Sequence, residues 1–135
     1  MEKDAPADNV LTTRTQRITL RPDGVILTQN LNSEEQSATD ARANIDASAR
    51  VSGGVRRPLL VDTTIPAPLS KEAQDFYTSA DAAKVVTAVA IIVKNWVGRL
   101  IGNFVIGRRH RDVPMRLFEN QAEALKWLKD YPPTK

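Results

Sequence analysis

The sequence predicts an α/β fold with a mixed β-sheet, and three stretches of the chain support that prediction. Residues 85–93 are a continuous run of β-branched and other apolar residues, typical of a central strand covered on both faces. From Asn95 onward the apolar residues recur at helical spacing, so this strand leads into a helix. The turn sequence at residues 21–24 joins two earlier strands into a hairpin.

The composition excludes several classes of function. The chain has 135 residues, of which 41% are hydrophobic and 26% charged, as expected for one globular domain. It has no cysteine, which excludes disulfides, thiol catalysis and cysteine-bound zinc. Its single histidine leaves little scope for other metal or triad chemistry. The net charge of +3 is too small to indicate nucleic-acid binding.

Two segments bear on the location of the protein. Residues 1–4 are mostly charged and lead into Ala and Pro without an apolar run, so we expect no secretory signal and a cytoplasmic protein. Residues 84–107 are apolar enough to suggest a membrane span. However, Lys94 and Arg99 interrupt that segment, and charges are costly in lipid. We therefore expect no integral membrane association.

The predicted element order is β-β-α-β-α-β-α-β-α, with about five strands in the sheet and the helices packed against it. The expected strands are residues 15–20, 25–28, 58–62, 85–93 and 113–118. The expected helices are residues 33–50, 70–83, 95–107 and 121–131. Residues 1–12 are expected to be a flexible N-terminal arm, 13–131 a single domain, and 132–135 a C-terminal tail.

Helix caps support these boundaries. Ser33 and Gln36 have the spacing of a capping box, and so do Asn120 and Glu123. Gly53 is placed to end the first helix.

The element order, with a strand that ends in Asp62 before a loop and helix, resembles the STAS domain of sulfate transporters and anti-sigma factor antagonists. The resemblance covers residues 13–131, and an uncharacterised group of small bacterial STAS-like proteins is similar in more detail. The matching segments are residues 57–62, 90–93, 101–104, 114–118 and 123–128. This resemblance implies the fold and a regulatory role in bacteria.

The resemblance also implies where a regulatory phosphorylation site would lie. In anti-sigma factor antagonists the strand ending in Asp is followed by an Asp-Ser-Ser/Thr-Gly motif that a partner kinase phosphorylates. The corresponding residues 70–73 read Ser-Lys-Glu-Ala, so the motif is missing and Lys71 stands near the phosphorylated position. Ser70 remains a candidate for modification, although a simple N-cap role is favoured.

Asp62, Thr63 and Thr64 follow a predicted parallel strand, where open α/β sheets usually bind ligands. A carboxylate beside two hydroxyls could orient a small polar ligand or a partner. The favoured interpretation is that these groups satisfy loop backbone donors.

Arg108, Arg109 and Arg111 form the densest positive charge and could contact an anion. Because they follow a predicted helix, the favoured interpretation is that they compensate the helix dipole.

The helix after the central strand contains Gly98 and Gly102 four residues apart, and interior glycines are unfavourable in helices by about 1 kcal/mol each. Close packing on the sheet is the favoured explanation. Contact with a second molecule is the alternative, because the apolar arc that begins at Trp96 is wider than a surface helix needs.

The leading hypothesis is a non-enzymatic STAS-like module that acts through contact with an unidentified protein partner. The contact surface would be residues 62–71, with the helix at residues 95–105 as a second candidate. The alternative is a small apolar ligand or lipid bound by residues 95–107 and the basic loop 108–111. An enzyme ranks last, no cofactor or metal is expected, and self-association is left open.

Overall fold

A computed structural model describes residues 9–134, except for the side chain of Val97. Within this range the strands are β1 (Val10–Thr12), β2 (Gln16–Leu20), β3 (Ile26–Asn30), β4 (Arg57–Asp62), β5 (Val86–Ile92) and β6 (Met115–Phe118). The helices are α1 (Ala38–Ser52), α2 (Lys71–Tyr77), α3 (Ala80–Ala83), α4 (Trp96–Gly107) and α5 (Gln121–Leu128). No helix in this range is both long and apolar enough to cross a lipid bilayer.

The six strands form one mixed sheet in which the spatial order follows the chain order from β1 to β6. The pairs β1–β2 and β2–β3 are antiparallel, and β3 to β6 are parallel. This confirms the predicted α/β class and element order, with one additional strand. Val10–Thr12, which we expected in the flexible arm, instead pairs with β2, so the prediction is wrong for these residues. Residues 1–8 of the predicted arm lie outside the described part of the chain.

The helices divide between the two faces of the sheet. Right-handed crossovers between sequential parallel strands place all connecting helices on one face. The core on that face contains Ala47 and Val51 of α1 and Ala83 of α3, together with Leu59 and Val89 of the sheet.

The other face is covered by α5. Its Ala124 and Leu128 pack with Leu60 of β4 and with Ala88 and Ala90 of β5. The small side chains of β5 on this face allow one helix to approach the sheet closely.

The first helix begins four residues later than predicted. Ser37 is the N-cap: its hydroxyl accepts a hydrogen bond from the Asp40 backbone N–H (3.2 Å), and the Asp40 carboxylate accepts one from the Ser37 N–H (2.9 Å). The predicted capping box at Ser33 is therefore wrong, because Gln36 is held elsewhere in the fold. The predicted glycine end is confirmed, since Gly53 has a φ of 72°.

The helix predicted at residues 70–83 is divided into α2 and α3. The hydroxyl of Ser79 donates to the carbonyl of Phe76 (2.6 Å) and accepts from the N–H of Ala82 (3.3 Å), so it ends one helix and caps the next. Thr78 also bonds back to the carbonyl of Gln74 (2.8 Å).

Candidate functional site

Helix α4 exposes three large apolar side chains, which we call the outer face: Trp96, Leu100 and Phe104. Trp96 is 70% exposed, and Leu100 and Phe104 are each 57% exposed. Their spacing of four residues aligns them along one side of the helix. Large apolar side chains grouped in this way on a surface are typical of an interaction site.

The side of α4 opposite the outer face packs closely on the sheet. Gly98, Gly102 and Val105 are buried on that side. A Cβ on Gly102 would lie only 2.6 Å from Cδ2 of Leu117 in β6. A side chain at this position would force Leu117 to shift, which supports close packing on the sheet as the role of the glycine.

Positive charge surrounds the outer face, although part of it is paired. Arg99 forms an ion pair with Glu119 (2.6 Å), and Lys94 donates to the Glu119 carbonyl (3.0 Å). Arg108 pairs with Asp75 of α2, and its guanidinium lies 5.8 Å from the centre of the Phe104 ring. The last turn of α4 is thereby tied to α2.

The basic loop after α4, residues 108–111, supplies a hydrogen bond to the C-terminus of that helix. The guanidinium of Arg109 donates to the carbonyl of Ile106 (3.1 Å), one of the carbonyls left free at a helix C-terminus. Arg111 is exposed. In the same loop, the Asp112 N–H donates to Nδ1 of His110 (3.3 Å). The structure therefore shows Arg108 and Arg109 in structural contacts, with Arg111 free of the helix end.

The groups at the end of β4 are engaged with their own loop. The Asp62 carboxylate accepts from the N–H (2.8 Å) and the hydroxyl (2.6 Å) of Thr64. The hydroxyl of Thr63 donates to the carbonyl of Ile92 (2.7 Å). These contacts stabilise the turn after the strand and leave few groups free to bind a ligand.

Ser70 is the N-cap of α2, where its hydroxyl accepts from the N–H of Ala73 (3.0 Å). Lys71 is exposed beside it. Pro68 and Ser70 are bonded to Gln36, which attaches the loop to the segment before α1. The loop at residues 63–70 is thus held at both ends by backbone hydrogen bonds, from Thr63 to Ile92 at its start and with Gln36 at its end.

The predicted site residues partly converge around a cavity of about 140 Å³ on the α1 and α4 side of the sheet. Thr63, Gly98 and Gly102 line it, whereas Trp96 belongs to the outer face. The two candidate surfaces, residues 62–71 and the helix at residues 95–105, thus both contribute side chains to the lining of this cavity.

Sequence reasoning missed a group of buried polar side chains at one end of this cavity, which we call the polar cluster: Gln16, Asn30, Gln36, Asn44 and Tyr77. The amides of Gln16 and Gln36 both donate to Asn30 Oδ1 (3.1 and 3.2 Å). The Tyr77 hydroxyl donates to Gln36 (2.5 Å) and accepts from Asn44 (2.9 Å).

A sequence signal for this cluster existed. Gln16 and Asn30 occupy inward positions in strands where Ile18 and Ile26 mark the buried face, and Asn44 lies beside Ile45 on the buried side of α1. Polar residues in such positions indicate a buried hydrogen-bonded network.

One mixed sheet with α1 to α4 on one face and α5 on the other is a STAS-like α/β fold. A crystal structure of an uncharacterised protein from the DUF3478 family with a SpoIIAA-like fold, from Shewanella loihica PV-4, is similar to it. The TM-score is 0.55 at 19% identity, covering 94% of this chain and 99% of that chain. The likeness confirms the fold.

The chain belongs to the family described as Domain of unknown function (DUF7793), whose model matches residues 18–132. No curated protein matches the chain.

Proposed function

We propose that this protein is a non-enzymatic bacterial interaction module that binds a protein partner through the outer face of α4. The observation that carries the proposal is the exposure of Trp96, Leu100 and Phe104 along one side of a helix. Partner grooves commonly accept apolar side chains at this helical spacing, and Trp is enriched among residues that dominate binding energy.

The surroundings of the outer face indicate the chemistry of the partner. The cationic side chains near it are Lys94 and Arg99 beside Trp96 and Arg108 beside Phe104, and the acidic residue near its first turn, Glu119, is already paired with Arg99. A partner surface with an apolar centre and an acidic rim would complement this arrangement. Residues 62–71, the surface favoured from the sequence, supply mainly groups that are bonded within their own loop.

The same contacts support a non-enzymatic role. Asp62 accepts two hydrogen bonds from Thr64, and the hydroxyls of Thr63 and Ser70 are bonded to the backbone. A nucleophile or general base needs to reach the substrate, and these groups are directed into local turns.

Affinity capture with matched variants tests the proposal. The wild-type chain should retain a partner that a Trp96→Ala/Phe104→Ala variant loses. A Leu31→Ala variant removes an exposed apolar side chain outside both surfaces and should retain it. A Lys71→Ala/Glu72→Ala variant tests the loop surface. Loss with that variant and retention with the first would place the contact at residues 62–71 instead.

We also propose a second function, the binding of a small apolar ligand, which the cavity favours. The floor of the cavity is formed by Leu59 and Val61 of β4 and by Val89 and Ile91 of β5. A cavity of about 140 Å³ is close in size to a cavity of about 150 Å³ that binds benzene in an engineered protein. A co-purified apolar compound, detected by native mass spectrometry of the purified protein, would support this function. In a titration with toluene, an amide spectrum that stays unchanged would contradict it.

A further inference from the structure

The cavity results from the spacing of the helices above the sheet. Helix α1 packs over β2 and β3, whereas α4 packs over β6. With strands about 4.8 Å apart, the two helices are separated by roughly 17 Å, which exceeds the 8–10 Å of packed helices. Between these two helices, the 63–70 loop and α3 lie over the central strands β4 and β5, and a space remains above the apolar side chains of those strands.

The two ends of this space differ in chemistry. At the carboxyl ends of the strands it meets the polar cluster, in which Gln36 is 2% exposed and Asn44 1% exposed. Toward the other end it is lined by Ala82, Val86 and Val105. A ligand that fills the space would thus have an apolar body and a head that forms hydrogen bonds.

The lining also restricts the charge of that head. Among the described residues around the cavity only Tyr77 and His110 have ionisable side chains, and none is Arg, Lys, Asp or Glu. His110 comes before β6, at the opposite end of the parallel strands from the polar cluster. A carboxylate or phosphate placed at the cluster would be buried without a cation, which is strongly unfavourable.

Thr28 offers a group for the head to contact. It lies on β3 between the inward-facing Ile26 and Asn30, is 3% exposed and lines the cavity. The hydrogen bonds within the polar cluster do not use its hydroxyl. A hydroxyl or amide on the ligand could donate to it or accept from it.

We propose that the cavity binds an uncharged amphiphile of about one ring, with a hydroxyl or amide head that contacts Thr28 and the polar cluster. This inference rests on the second proposed function, ligand binding in the cavity, and it adds the charge and orientation of the ligand. It is independent of the outer face of α4, which lies on the opposite side of that helix.

Three probes of similar size test the proposal at pH 7: benzyl alcohol, toluene and benzoate. Affinities are measured from chemical-shift changes in amide spectra of the full chain. Benzyl alcohol should bind about tenfold or more tightly than benzoate, because benzoate would bury its charge. It should also bind more tightly than toluene, and the shifts should include Leu59, Val61 and Ile101.

Variants separate the head contact from the apolar space. Thr28→Val keeps the side-chain shape but removes the hydroxyl, and it should abolish the preference for benzyl alcohol over toluene. Ala82→Leu and Val61→Phe fill the space and should abolish binding of both probes. Ala122→Leu, on the exposed surface of α5, is the matched control and should bind normally. Thermal unfolding checks that each variant is folded. If one of the two filling variants does not fold, the other still tests the cavity.

The outcomes are distinct. Toluene binding without any preference for benzyl alcohol, or equal binding of benzoate, would overturn the proposed ligand class while ligand binding itself stands. Shifts confined to α4's outer face, or binding that survives both filling variants, would overturn the cavity as the site. If none of the three probes binds, both the ligand class and the second proposed function are wrong.

Discussion

Gly102 of α4 faces Leu117 of β6 so closely that a Cβ on the glycine would lie 2.6 Å from Leu117 Cδ2. Real side chains do not approach to this distance. Gly102 therefore lies on the side of α4 that packs on β6. Leu100 and Phe104 lie on the opposite side of the helix, and each is 57% exposed.

Substitution of the two interior glycines should have unequal effects on stability. Replacing Gly by Ala in a helix interior stabilises it by up to about 1 kcal/mol when the site has space. At Gly98 the new Cβ would meet atoms at 3.5 Å or more, so Gly98→Ala should stabilise the protein. At Gly102 the clash with Leu117 should cancel or reverse this gain, and chemical denaturation measures the difference.

A Leu117→Ala background serves as the control for the glycine pair. Without the leucine methyls, Gly102→Ala should become as favourable as Gly98→Ala. Equal stabilisation by both substitutions in the wild-type background would show that the contact does not limit the position of α4.

Acid should weaken the attachment of the turn between β1 and β2 to α1. Arg14 forms two hydrogen bonds with the Asp40 carboxylate (2.6 and 3.0 Å), which hold the pKa of Asp40 well below its ordinary value of 3.8. The stabilisation is present above about pH 4 and is lost as the pH falls toward the lowered pKa. Asp40→Asn should therefore lower the melting temperature at pH 7 but make little difference at strongly acidic pH.

Ser37→Ala is a useful comparison, because it removes the cap hydroxyl and leaves the Arg14–Asp40 pair. It should cost about 1 kcal/mol, and its effect should depend less on pH than that of Asp40→Asn. An Asp40→Asn effect that stays constant from pH 7 to pH 2 would contradict the assignment.

Alkali should destabilise the protein through Tyr77. Burial raises the pKa of this hydroxyl from 10.0 to about 12. Between these values the unfolded chain releases the proton while the folded chain retains it, so stability falls as the pH rises. Tyr77→Phe should show a smaller loss of stability over this range, measured by denaturation at several pH values.

The same substitution should reduce stability at pH 7 by about 1–2 kcal/mol, because Gln36 and Asn44 each lose a partner. A Tyr77→Phe variant whose alkaline loss matches that of the wild type would show that another group causes it.

Much of the fold could be predicted from local patterns. The apolar run that became β5 and the helical spacing that became α4 indicate their structures without outside information. Gly53 and Asn120 mark helix ends because a left-handed glycine and an Asn N-cap act within a few residues.

The errors arise where contacts between residues far apart in the sequence determine the start or the existence of an element. Ser33-x-x-Gln36 and Ser37-x-x-Asp40 are similar patterns, but Gln36 bonds to Asn30 and Tyr77, so the helix starts at the second. β1 is a three-residue strand with little pattern of its own, and it depends on pairing with β2.

The candidate site was predicted only in part. The excess of apolar residues on α4 was visible in the sequence, and it suggested a second molecule. Which of them face outward could not be derived, because that depends on which side of α4 packs on β6. The cavity was not predictable, since it depends on the distance between α1 and α4 across the sheet.

Photo-crosslinking from the outer face tests the central claim most directly. A benzoylphenylalanine at position 100, in cells that express the chain naturally, should form an adduct with one other protein. The same group at Lys126, exposed on α5, should not, and Trp96→Ala/Phe104→Ala should abolish the adduct. No adduct from position 100, or one only at twice the mass of this chain, would contradict a protein partner at α4.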